Sequence, residues 1–253
     1  RLQRARSFDM CMDCHSGFPG RDMTSVLNQR SGHRTNRLAD LHDPAEDPLT
    51  MRPHVDCVDC HNPHAVRENP LGASRQFGTI GNLIPPGMEF VSGITATGNR
   101  TNRARFYYEV CFKCHADNPV PVQQRIVRQR DAIGNIRRQL LPTAASAHPI
   151  LFSARRSNAE SPSLLPAARS RTVMSCQDCH NNPDARELGG FGPNGPHGSR
   201  FNFLLNANYE TADFTMESPQ AYALCYQCHD RTSILNDESF QFHRRHIVDG
   251  RSP

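Results

Sequence analysis

The chain has 253 residues, 37% of them hydrophobic, with no Trp, 19 Pro, 16 Gly and a formal charge of +4. So little apolar material excludes an ordinary self-filled core and predicts a loop-rich chain wrapped around something that is not protein. The positive residues are scattered along the chain, which argues against a dedicated nucleic-acid or anionic-membrane surface, and no run of 18 apolar residues offers a membrane span.

Read from the N-terminus, Arg1-Leu-Gln-Arg does not open a signal peptide, so the expectation is a processed form or a piece of a longer polypeptide. Cys11-Met-Asp-Cys14-His15 follows, then Ser31-Gly-His33, His42 and His54. Cys57-Val-Asp-Cys60-His61 runs directly into Asn62-Pro-His64, and Pro85-Pro86-Gly87 is turn material. A helix is expected from Arg103 to His115, carrying Cys111 and Cys114. The stretch from Arg125 to Gln139 alternates around Gly134-Asn135 and reads as a small hairpin. Ser146-Ala-His148 leads to an exposed Ser-, Arg- and Pro-rich loop over 155–172, with a flexible linker as the alternative. Cys176-Gln-Asp-Cys179-His180 precedes a turn region from Gly189-Gly190 to Pro196-His197. Ser218-Pro219 is a helix start, with Ser as N-cap and Pro at the first position, leading into Cys225-Tyr-Gln-Cys228-His229. The last feature is Phe240-Gln-Phe-His243-Arg-Arg-His246.

The cysteines decide the class. All ten fall in Cys-x-x-Cys pairs, and His follows each of the five; with 13 His in the chain, chance would give this about once in three million sequences. Zinc sites use such pairs two at a time, a disulfide framework needs no His at a fixed offset, and thioredoxin-like motifs do not come in fives. Covalent haem explains every element: two thioethers from each Cys pair (11/14, 57/60, 111/114, 176/179, 225/228) and a proximal iron ligand from His15, His61, His115, His180 and His229. Five haem c groups would also supply the missing interior. All cations but Lys113 are Arg, whose planar fork suits haem propionates, although a skewed genomic composition explains the same bias.

The motifs are of two kinds. Cys57-Val-Asp-Cys-His-Asn parallels Cys176-Gln-Asp-Cys-His-Asn, and Tyr108-Glu-Val-Cys-Phe-Lys-Cys-His parallels Tyr222-Ala-Leu-Cys-Tyr-Gln-Cys-His. The expected organisation is a single unit over 1–253 with a weak repeat: 1–100 for haems one and two, 101–217 for three and four, 218–253 for five. With Asn62-Pro-His64 and Gly195-Pro-His-Gly-Ser199, this pattern resembles the multihaem c-type cytochromes with doubled Cys-x-x-Cys-His motifs. The resemblance implies bis-His haems stacked into a continuous chain, short helices with few or no strands, and export before haem attachment. In such families a segment like Phe240–Val248 often leads into a further haem motif, so a longer polypeptide, or a chain end that meets a neighbour, is expected.

Eight His remain as sixth ligands. The repeat selects His33, His64, His148 and His197, and the resemblance favours His246, with His243 and His54 as alternates and His42 as a solvent residue. Met is the competing ligand, but Met10, Met12 and Met174 lie in or beside motifs, where they pack against a ring edge. The function expected is electron transfer, in a conduit, a polymerising filament subunit, a soluble shuttle or a subunit of a membrane redox complex. The partners are redox proteins or extracellular acceptors, or a homopolymer exchanging axial His, in the periplasm or at the cell surface. A reductase would need an open coordination site. All five motifs end in His, whereas pentahaem nitrite reductases replace one such His by Lys, so no catalytic residue is assigned.

Overall fold

The structure, a computed structural model, describes residues 7–35, 54–65, 80–117, 135–144, 146–154, 163–212 and 214–248. Among them the helices are α1 (Ser7–His15), α2 (Thr24–Leu27), α3 (Cys57–Cys60), α4 (Tyr107–His115), α5 (Ile136–Gln139), α6 (Pro166–Arg169), α7 (Ala223–Tyr226), α8 (Arg231–Leu235) and α9 (His243–Ile247). The strands are two residues each: β1 (Ser31–Gly32), β2 (Gly93–Ile94), β3 (Arg100–Thr101) and β4 (Gly198–Ser199). β1 pairs antiparallel with β4, Ser31 opposite Ser199, and β2 pairs antiparallel with β3, Gly93 opposite Thr101. The fold is therefore loop-rich, with short helices and a few short strands.

Local chemistry decides where the helices start. The Glu109 carboxylate accepts from the backbone N–H groups of Arg105 (2.6 Å) and Phe106 (3.2 Å), so α4 begins at Tyr107. That is later than the Arg103 start read from the sequence, because Arg103 is held by the Thr101 hydroxyl in a turn after β3. Ser218 likewise closes a turn: its Oγ accepts from Ala221 and its carbonyl from Tyr222, and regular helix follows only at Ala223. The hairpin expected over 125–139 is not formed by its second arm. Asn135 caps Arg138 at 3.1 Å and makes 136–139 the helical turn α5, while the first arm lies outside the described residues. In the stretch read as an exposed loop over 155–172, the described part carries α6, started by Pro166.

The chain divides into two compact units, one within residues 1–27, 33–153 and 173–176, the other within 28–32, 154–172 and 177–253. In the first, α4 is the central element. Tyr108, Phe112 and Ala116, spaced by one helical turn, pack with Ile94 and Ile150, and Met174 and Cys176 lie against them. On another face Tyr107 and Val110 join Met88, Val91 and Ala104, with Cys60 packed alongside. Met88 is buried in this cluster.

In the second unit the interior is largely polar. Asn181 and Ser199 are fully buried, and the hydroxyls of Ser163, Ser233 and Ser239 hydrogen-bond together. Asp230 caps α8 through the N–H groups of Thr232 (2.8 Å) and Ser233 (3.3 Å). Large apolar side chains stay uncovered in both units: Phe18 is 88% exposed, Phe191 94% and Phe214 87%. Leaving such rings in water forgoes the burial energy that ordinarily drives folding.

Candidate haem-binding sites

The five motifs begin on α1, α3, α4, the 3-10 turn Cys176–Asp178 and α7, and in α1 and α4 the whole motif is helical. His15, His61, His115 and His180 are exposed and His229 is half-buried. In three of them the ring is aimed by a main-chain carbonyl. His15 Nδ1 donates to Arg21 O at 3.3 Å, His180 Nδ1 donates to Phe203 O at 2.9 Å, and the His61 ring donates to Gly87 O. For His15 and His180 this fixes the tautomer and leaves Nε2 as the nitrogen for a metal.

Local backbone geometry is shaped toward these contacts. A Cβ on Gly20 would fall 2.8 Å from Cys14 O and 3.0 Å from His15 Nδ1, so only glycine lets the loop fold back to offer Arg21 O. Phe203 and Leu204 adopt left-handed φ of 59° and 58°, a strained pair at the place where the Phe203 carbonyl meets His180. Desolvation by the surrounding chain holds His61 and His180 below the ordinary His pKa, opposed in each by the carbonyl contact.

All ten cysteines are free of disulfides. Burial pushes Cys57 and Cys60 up to about 12, and Cys11, Cys114 and Cys225 are raised by burial as well. The Cys111 thiol is raised well above its usual value by its hydrogen bond to Cys176 and by burial.

Within each compact unit, successive motifs are linked. The thiols of Cys11 and Cys57 hydrogen-bond, and Ser7 of α1 bonds to Asp56, the N-cap of α3. Lys113, inside the third motif, donates to Asp59 O at 2.8 Å and pairs with Asp59 Oδ1 at 3.3 Å, inside the second, with both side chains buried. Cys111 and Cys176 join the third motif to the fourth. Asn206 joins the fourth to the fifth, accepting from Gln227 at 3.2 Å while its N–H and side-chain amide donate to Cys179 O and Asp178 O, each at 2.8 Å.

Asn62 and Asn181, one residue past a proximal His, are not singled out as functional by the sequence. Asn62 Oδ1 accepts from the His64 N–H at 3.0 Å, and Asn181 Oδ1 from the Gly195 N–H at 2.7 Å, two residues before His197. Both hold the segment that carries a candidate distal His. Their repetition after Cys-His is the available signal. The Asp of these two motifs is also paired alike, Asp59 with Lys113 and Asp178 with Arg171 at 2.7 Å.

Of the distal candidates, the structure brings His33 against a proximal residue, its ring centroid 6.0 Å from that of His115. His64 and His148 are exposed, and His197 is half-buried beside Gly195. The φ of 100° at Gly195 favours glycine, and a side chain there would put its Cβ 3.3 Å from Cε1 of the His197 ring. His246 is exposed and stacks on Phe240 at 6.1 Å, and His243 meets the same ring edge-on at 5.0 Å. His54 is half-buried ahead of α3, and His42 lies outside the described residues.

These residues fit c-type haem: paired thiols for thioethers and a following imidazole, held through Nδ1 at His15 and His180 so that Nε2 faces outward for a metal. When bound, the group supplies reversible one-electron chemistry at iron. Residues 169–234, which hold the fourth and fifth motifs, match the family described as doubled CXXCH motif. No curated protein and no solved structure matches the chain. The match makes residues 169–234 similar to multihaem c-type cytochromes, and a doubled motif of this kind indicates haem c binding and electron transfer.

Proposed function

We propose that the chain carries five haem c groups, one on each Cys-x-x-Cys-His motif, and passes electrons along them in chain order. The observation that supports this reading most is that successive motifs approach one another inside each compact unit, through Cys11–Cys57, Asp59–Lys113 and Cys111–Cys176 in the first and through Asn206 in the second. Groups tethered to touching turns are neighbours, and neighbouring haems exchange electrons quickly. The sixth ligands come from His33, His64, His148, His197 and His246, with His243 and His54 as alternates. The protein is a carrier, not a catalyst, and acts after export, in the periplasm or at the cell surface.

Its setting is a conduit. Within α9, His243 and His246 stand one turn apart next to exposed Phe240 and Phe242, a surface suited to meeting a second copy and donating an axial His to it. The alternatives are a soluble shuttle and a subunit of a membrane redox complex; among the described residues no helix is long and apolar enough to cross a membrane. Intact mass of the matured protein should equal the polypeptide plus five haems, and its reduced form should be wholly low-spin and should not bind carbon monoxide. Fewer haems would overturn the count, and stoichiometric carbon monoxide binding would favour a reductase. Cryo-electron microscopy of native material separates filament from isolated particle.

A further inference from the structure

We infer that His33 and His115 are the two axial ligands of one iron, so that a residue following the first motif completes the coordination of the haem carried by the third. The inference rests on the haem-binding reading above and deepens it, because chain order alone associates His33 with the haem it follows.

His115 is the last residue of α4, directly after Cys114, and α4 is the most firmly held helix of its unit. Phe112 is 1% exposed, Ala116 1%, and Lys113 is tied to Asp59. The position of His115 is therefore set by a packed scaffold. His33 is half-buried in a tight turn whose carbonyl accepts from the Thr35 N–H at 3.0 Å. The two rings are 6.0 Å apart between centroids and inclined by 46°. Two imidazoles sharing one metal, each bound at about 2 Å, put their centroids about 6 Å apart.

Two rival explanations are available. A bare metal ion would need further donors, and among the described residues no group of three or more His, Cys, Asp or Glu could hold one. A haem brings four nitrogens of its own and asks the chain for only two. Plain ring packing is the other rival, since aromatic pairs span centroid distances of about 4.5–7 Å. Phenylalanine separates packing from ligation, because it keeps the ring and removes the nitrogen.

The test uses the matured protein. H33F should retain its full set of attached haems by mass but convert one of them to a high-spin form that binds carbon monoxide when reduced. H33M should keep that haem low-spin and raise its reduction potential. Combining H33F with C111A/C114A, which removes the third tether, should add no high-spin signal beyond that of C111A/C114A alone. A wholly low-spin H33F would reduce the contact to packing, and an added high-spin signal in the combined variant would assign His33 to another haem; either overturns the inference. Should a variant fail to mature, a map of the wild-type holoprotein decides: iron between His33 and His115 supports the pairing, and any other donor opposite His115 defeats it. Wild-type protein without covalent low-spin haem would instead defeat the underlying function.

Discussion

Lys113 is the single lysine of the chain, and its ammonium is buried against Asp59 from a motif 54 positions earlier. Breaking a buried pair from one side leaves the other charge stranded, so K113M should cost about 3–5 kcal/mol of stability, whereas D59L/K113M should recover most of it. Chemical denaturation of the three proteins, followed by haem absorbance, measures this. The sequence marks Lys113 as an oddity but cannot supply its partner, because ion pairs between distant positions leave no local pattern. The candidate proximal His are legible for the contrary reason: candidate tether and ligand are contiguous in Cys-x-x-Cys-His. The carbonyls of Arg21, Gly87 and Phe203 that aim three of those ligands have no side-chain signature at all.

At the scale of elements, the sequence signals caps better than boundaries. Ser218 and Glu109 both make the local contacts their types suggest, yet each departs from the expected helix start because nearby turns use the intervening backbone. The second hairpin arm differs for a similar reason: Asn135 serves equally as a turn residue and an N-cap, and here it caps. Beside the fifth motif, Glu217 accepts from Arg231 (2.6 and 2.8 Å) and from the Tyr226 hydroxyl (2.8 Å). The Arg231 contact first, and the Tyr226 contact after it, hold the Glu217 carboxyl below its ordinary value of 4.5. A depressed carboxyl contributes stability that is complete above the unfolded value and is lost as pH falls through the folded one. Wild-type protein should therefore weaken as pH drops below 4.5, and E217Q should be less stable at neutral pH but lose less over that interval, as thermal melts at several pH values would show.

At the scale of the whole molecule, poverty of apolar residues is the property that composition announces and the structure repeats. Among the described residues the buried apolar clusters form around α4, while Phe18, Phe191, Phe214 and Met216 remain almost wholly exposed. Loop-rich architecture is legible because motif count and composition agree. The division into two compact units depends on which loops pack together, and two of its boundaries fall at the ends of the 155–172 stretch that the sequence reads as a loop or a linker. A chain with all ten cysteines replaced by Ala should keep some local helix but lose its cooperative unfolding transition and its near-ultraviolet circular dichroism. A sharp transition in that variant would mean that the polypeptide suffices without haem.

The main-chain acceptors of His15, His61 and His180 have a consequence for how such a protein changes over generations. A carbonyl survives every amino-acid replacement, so the identities of residues 21, 87 and 203 can drift while the hydrogen bond that strengthens ligand basicity persists. With haem bound there as proposed, the tuning these carbonyls give the ligand would be written in loop shape, not in side-chain identity. Two descendants could share every iron environment while agreeing on little besides Cys, His and the glycines that let the loops close.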